Sequence, residues 1–143
     1  MADTSCIFCR IVKGDLPAYK LYEDEHCLVI LDVNPIASGH SLIISKEHYP
    51  TILDTPVNIL AHITQTIQKV IPGILKGTNA EGFNIMQNNG RCASQIVPHL
   101  HFHIIPRVTG DNIRFNWLPR SADKSEFEAI TVRIKQHIES PAT

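Results

Sequence analysis

The chain has 143 residues, 43% of them hydrophobic, which suits one domain able to bury a core without a disulfide framework. Thirteen basic against fourteen acidic residues leave a formal charge of −1, and no basic run stands out, which argues against extended nucleic-acid binding. No apolar stretch approaches the ~20 residues of a membrane helix, and the opening Met-Ala-Asp-Thr-Ser-Cys lacks the basic and apolar regions of a signal peptide.

A soluble, cytoplasmic chain is therefore expected, with its four cysteines as thiols or metal ligands. Ile7, Phe8, Ile11 and Val12 predict a short helix over Cys6–Lys13, closed by Gly14 and followed by Pro17. Tyr19–Tyr22 and Cys27–Leu31 read as strands joined by the polar turn Glu23-Asp24-Glu25. A loop from Asp32 to Gly39 leads to a third strand over His40–Ser45. Asp54-Thr55-Pro56 predicts a helix start, with a capping residue and a proline at the first helical position. Leu60, Ile63, Ile67, Val70, Ile71 and Ile74 continue it at helical spacing. Pro72-Gly73 should kink that helix or end it early, and Lys76-Gly77 is a second candidate end.

Phe83–Gln87 reads as a fourth strand, and the polar segment Asn88–Ser94 as the loop that follows it. Residues 108–120 are irregular. Asp123 or Ser125 caps a last helix with Phe127, Ile130, Ile134 and Ile138 as its apolar stripe. Together these elements predict an α+β domain on an antiparallel five-stranded sheet.

The fifth strand carries the chemistry. Val-Pro-His-Leu-His-Phe-His-Ile-Ile-Pro-Arg, residues 97–107, alternates His99, His101 and His103 with Leu100, Phe102 and Ile104. Alternation at period two puts three imidazoles on one face and three apolar side chains on the other. Pro98 and Pro106 bracket the strand, as prolines do at strand ends. Such a row suits a metal, with a further ligand from elsewhere, or an imidazole nucleophile whose neighbours bind a phosphate.

His99-Leu100-His101-Phe102-His103-Ile104-Ile105 resembles the signature of the histidine triad (HIT) family. The segment Asp32-Val33-Asn34-Pro35-Ile36-Ala37-Ser38-Gly39-His40 and the opening Cys6-Ile7-Phe8-Cys9-Arg10-Ile11-Val12 are similar to that family in order and approximate spacing. The resemblance covers about residues 5–107 of a single domain, leaving 108–143 as a C-terminal extension. It implies a nucleotide-binding hydrolase of the zinc-containing, phosphoramidase-like branch. Its substrates would be purine nucleoside phosphoramidates or related nucleotidyl compounds, cleaved through a nucleotidyl-histidine intermediate. His101 would be the nucleophile, with His103 and His40 donating to phosphoryl oxygens and His99 orienting the row or binding metal. Asp32 would accept from the ribose hydroxyls, although it also suits a turn before Asn-Pro. Phe8, Ile11, Ile30, Val33 and Leu42 would line a base pocket, with core packing as the alternative for some of them. Asn88, Ser94 and Gln95 would lie at the phosphates.

The resemblance also implies a structural zinc ion on Cys6, Cys9, His48 and His99, a closed Cys₂His₂ set. It implies a homodimer built through the long helix and the fourth strand, with Leu60, Ile63, Ile67 and Phe83–Gln87 at the contact. No membrane or extended nucleic-acid partner is expected.

Two departures bear on the leaving group. Ile96 stands where many relatives have a serine or threonine hydroxyl, and Ser94 where many have glycine. A dinucleoside polyphosphate hydrolase therefore stays open as an alternative. So do a nucleotide-binding or partner-binding protein without catalysis, and an enzyme using the three histidines as metal ligands. Cys27 and Cys92 have no partner pattern, and His26, His62 and His137 read as surface residues.

Overall fold

The computed structural model describes residues 5–138, which divide into two compact units between Ile113 and Arg114. The first unit holds α1 (Ile7–Lys13), β1 (Lys20–Glu23), β2 (Cys27–Leu31), β3 (Ser41–Ser45), α2 (Val57–Thr78), β4 (Gly82–Met86) and β5 (His101–Arg107). The strands form one sheet in the order β1-β2-β3-β5-β4, and every neighbouring pair is antiparallel.

Both faces of the central strands are covered. Val29, Ile43, Leu100 and Ile104 pack against Ile59, Ile63, Ile67, Ile71 and Ile74 of α2. Leu28, Ile30, Leu42 and Ile44 pack against Phe8, Cys9 and Ile11 of α1. A strand buried on both sides needs an unbroken apolar run, which is what Cys27–Leu31 and Leu42–Ile44 supply. Gly14 closes α1 in the left-handed conformation at φ +88°.

Several expected boundaries move. Asp54 does not cap the long helix. It closes a capping box with Thr51 around a short 3₁₀ turn, Ile52–Asp54, and α2 starts after Pro56 without a side-chain cap. Pro72 does not end α2, which runs on to Thr78 and stops at Asn79 in the left-handed conformation. Ile71 and Ile74 are buried on either side of an exposed Pro72, so packing of the apolar stripe outweighs the hydrogen bond that the proline removes.

Pro106 lies inside β5, not at its end, and pairs with Phe83. Pairing with β3 ends at Ile104, so Pro106 has a strand neighbour on one side only and tolerates the missing donor. Ile63 and Ile67, expected at a contact between subunits, are buried under their own sheet. β4 is an edge strand, and Phe83 and Ile85 are exposed on it.

In the second unit Asp123 caps α3 (Lys124–His137) by accepting from the Glu126 N–H at 2.9 Å. No described residue of that helix is buried, including its apolar stripe. Among the described residues no helix is long and apolar enough to cross a membrane.

Candidate active site

β5 brings His101 opposite Ile44 and His103 opposite Leu42, and their rings lie 5.1 Å apart between centroids. His40 arrives just before β3. The expected row of three on one strand is thus divided, because His99 lies before β5 begins and is fully buried.

Fixed main-chain groups set which ring nitrogens carry hydrogen. The His101 Nδ1–H donates to the His99 carbonyl at 2.6 Å, which leaves the Nε2 lone pair available. The Ile36 N–H donates to His40 Nδ1 at 3.2 Å, so a neutral His40 carries its proton on Nε2. That proton points at His103 Nδ1, 2.9 Å away, and a neutral His103 then carries its own proton on Nε2. The result is one imidazole presenting a lone pair beside another presenting an N–H.

Burial pushes the pKa values of His40 and His101 below the usual histidine range. His103 is pushed down to about 4, first by burial and then by the neighbouring His101 and His40. Its imidazole is therefore neutral at pH 7, so Nδ1 keeps the lone pair that accepts from His40 while Nε2–H stays a donor.

These histidines open into a cavity of about 530 Å³. Phe8, Ile11, Ile30 and Leu42 form an apolar wall while also packing the α1-side core. Val33 and Ser94 line the same cavity and are exposed. Asp32 does both things its position allows. Its Oδ1 accepts the Asn34 N–H at 2.8 Å, closing the turn, while Oδ2 lies 3.5 Å from His40 Nε2. Asn88 and Gln95 do not line the cavity. Gln95 is buried and braces the loop, accepting from the Gly90 N–H at 2.8 Å and donating to the Pro50 carbonyl at 2.6 Å. Ile96, 88% exposed, lies on the cavity wall.

A second group of side chains converges where the start of α1 meets the segment before β5. Sγ of Cys6 and Cys9 and Nδ1 of His48 and His99 all lie within 4.8 Å of one another. Contacts among them run from His48–His99 at 3.1 Å, through Cys6–His99 at 3.2 Å and Cys9–His48 at 3.3 Å, to Cys9–His99 at 3.5 Å. Four ligands of a tetrahedral zinc ion stand roughly 3.3–3.8 Å apart, given Zn–N and Zn–S bonds of about 2.0–2.3 Å. The His99 Nε2–H donates to the Ser45 carbonyl at 2.7 Å, which turns the Nδ1 lone pair toward the sulfurs. The donor set and its geometry fit a structural zinc ion.

Residues 13–110 match the HIT domain family. The chain belongs to the HIT family. This HIT protein is 47% identical over 106 residues to an adenylylsulfatase of Arabidopsis thaliana, covering 74% of this chain and 54% of the plant protein. The chain thus spans about half the length of that relative. It is 36% identical over 141 residues to an adenosine 5′-monophosphoramidase of Candida albicans, covering 94% of this chain and 91% of that one. A HIT family protein from Bacillus subtilis superposes with a TM-score of 0.86 at 32% identity, over 95% of this chain and 99% of that one. A zinc-bound histidine triad protein from Mycobacterium smegmatis gives 0.74 at 38% identity, over 92% and 96%.

The HIT cavity is also lined by Ile7, Leu16 and Val97, beyond the residues expected at the base pocket. Ile7 has a signal in hindsight, since it lies four residues before Ile11 on one helix face. His26 and His62 are not the surface residues expected. Both are half-buried, with rings 4.8 Å apart, and His62 Nε2 bonds Asp24 Oδ2 at 2.8 Å. His137 is exposed as expected.

Proposed function

We propose that this HIT protein is a hydrolase cleaving purine nucleoside phosphoramidates or related nucleotidyl substrates through a nucleotidyl-His101 intermediate. The hydrogen bond from His101 Nδ1 to the His99 carbonyl carries this reading, because it commits the Nε2 lone pair to the cavity. Nε2 attacks the α-phosphorus, the bond to the leaving nitrogen breaks, and the amine departs with a proton taken from solvent, which the water of the second step returns. Water then cleaves the phosphorus–imidazole bond, yielding the nucleoside monophosphate and restoring neutral His101. Splitting the reaction this way replaces one difficult displacement by two easier ones. His103 Nε2–H donates to the phosphoryl oxygens as charge builds there, with His40 holding it in register. The names of the plant adenylylsulfatase and the yeast monophosphoramidase support a nucleotidyl substrate.

Ile96 favours a second reading. An exposed apolar side chain on the cavity wall offers no hydroxyl to an amine leaving group, which keeps dinucleoside polyphosphates in contention. Rates of AMP release from adenosine 5′-phosphoramidate and from a diadenosine polyphosphate, measured on one preparation, separate the two. The first reading predicts the faster rate on the phosphoramidate.

Cys6, Cys9, His48 and His99 would hold a structural zinc ion, a reading that the zinc-bound mycobacterial neighbour supports. The ion would supply a cross-link between α1 and the segment before β5, with no part in the chemical step. We further propose a homodimer paired through the edge strand β4, where Phe83 and Ile85 are exposed. A monomeric mass in solution would contradict it.

A further inference from the structure

On the α2 side of the sheet lies a cluster that the nucleotide chemistry leaves unused. Asp24 sits in the turn between β1 and β2, Cys27 opens β2, and His62 reaches them from α2. One ligand atom from each lies within 4.8 Å of the others. Asp24 Oδ1 is taken by the main-chain N–H groups of His26 and Cys27, both at 2.8 Å. Its Oδ2 faces His62 Nε2 at 2.8 Å and the Tyr22 hydroxyl at 3.1 Å. Cys27 is fully buried, while the side chains of His62 and Asp24 keep 32% and 20% of their exposure, so the cluster is closed below and open to solvent above.

We propose that Asp24, Cys27 and His62 form a second metal site, for a divalent cation of the zinc class. It is separate from the Cys6, Cys9, His48 and His99 group, because Cys27 faces the α2 side and that cysteine pair the α1 side. One sulfur, one imidazole nitrogen and one carboxylate oxygen select a borderline-soft cation over calcium or magnesium, which take oxygen ligands. Three protein ligands leave a fourth tetrahedral position to water on the solvent side.

Binding breaks no covalent bond other than to hydrogen. The Cys27 thiol gives its proton to solvent, and the His62 proton moves from Nε2 to Nδ1 as Nε2 takes the metal. The Asp24–His62 spacing then widens by a few tenths of an ångström, from hydrogen-bond length toward the roughly 3.3 Å between two zinc ligands. The bound ion would fasten the β1–β2 hairpin to α2.

Native mass spectrometry of the zinc-loaded, dialysed protein tests the proposal, with wild type, His62→Ala and Cys27→Ser compared. None of these residues touches the nucleotide cavity. The wild-type chain is expected to carry one more zinc ion than either variant. A cooperative melting transition of each of the three proteins in chelator would show that the lost ion reflects lost ligands, not lost folding. An equal zinc count in all three overturns the proposal, whatever the occupancy of the Cys6 site. A count lowered in His62→Ala but unchanged in Cys27→Ser overturns the ligand set.

Discussion

His101 Nδ1 lies 2.6 Å from the main-chain carbonyl oxygen of His99, while the His99 ring aims its own Nδ1 at Cys6 and Cys9. One residue therefore serves both centres. Its carbonyl fixes the tautomer of the candidate nucleophile, and its side chain belongs to the candidate metal group. Phe8 reinforces the join, standing edge-on to His99 at 5.8 Å and to His101 at 4.9 Å.

Loss of the cysteine pair should reach stability before chemistry. The Cys6→Ser, Cys9→Ser variant is expected to melt more than about 5 °C below wild type, since ~1 kcal/mol moves a domain of this size by roughly 2–4 °C. A chelator should lower the wild-type melting temperature in the same direction, and by more than it lowers that of the variant, which keeps Asp24, Cys27 and His62. Calorimetry with and without chelator checks both. An unchanged melting temperature in the variant would count against the zinc assignment.

The His103 ring gives a pH dependence with a definite sign. Its folded pKa is about 4, whereas an imidazole in an unfolded chain titrates near ~6.5. Between these values the unfolded chain binds more protons than the native one, so stability rises with pH. The contribution is complete above the unfolded value and is lost as pH falls through this window. An NMR titration of the His103 ring should find it neutral at pH 5.5. A ring that protonates near its ordinary value would show that burial does not act as described.

Gly39 is held in a conformation that side chains resist. Its φ is +81°, and a Cβ there would run into Thr78 Cγ2. Gly39→Ala should cost on the order of 2 kcal/mol, combining left-handed strain with displacement of the α2 end. Because His40 follows directly, nucleotide affinity should fall with stability. Denaturant unfolding and nucleotide titration of the purified variant measure the two effects.

The alternation of residues 100–104 made β5 legible, because a period of two leaves little freedom once Leu100 and Ile104 need the core. The apolar runs of β2 and β3 and the Gly14 stop were legible for similar local reasons. Pro72 and Pro106 misled because local chemistry says they break an element. The burial of Ile71 and Ile74, and the end of β3 pairing at Ile104, are tertiary facts absent from the local sequence.

At the site, the types of the chemical residues were visible but their partners were not. Gln95 was expected at a phosphate, and its side chain braces Gly90 and Pro50. The local sequence around His62 reads as surface because its partner Asp24 comes from a distant hairpin turn. Such pairings depend on how α2 lies over the sheet.

The central claim is that His101 supplies the nucleophile, and AMP release from adenosine 5′-phosphoramidate by wild type and His101→Ala, side by side, tests it most directly. Turnover by wild type with a loss of at least ~10³-fold in a variant that still folds and binds AMP is the predicted result. Turnover that survives in His101→Ala would contradict the account.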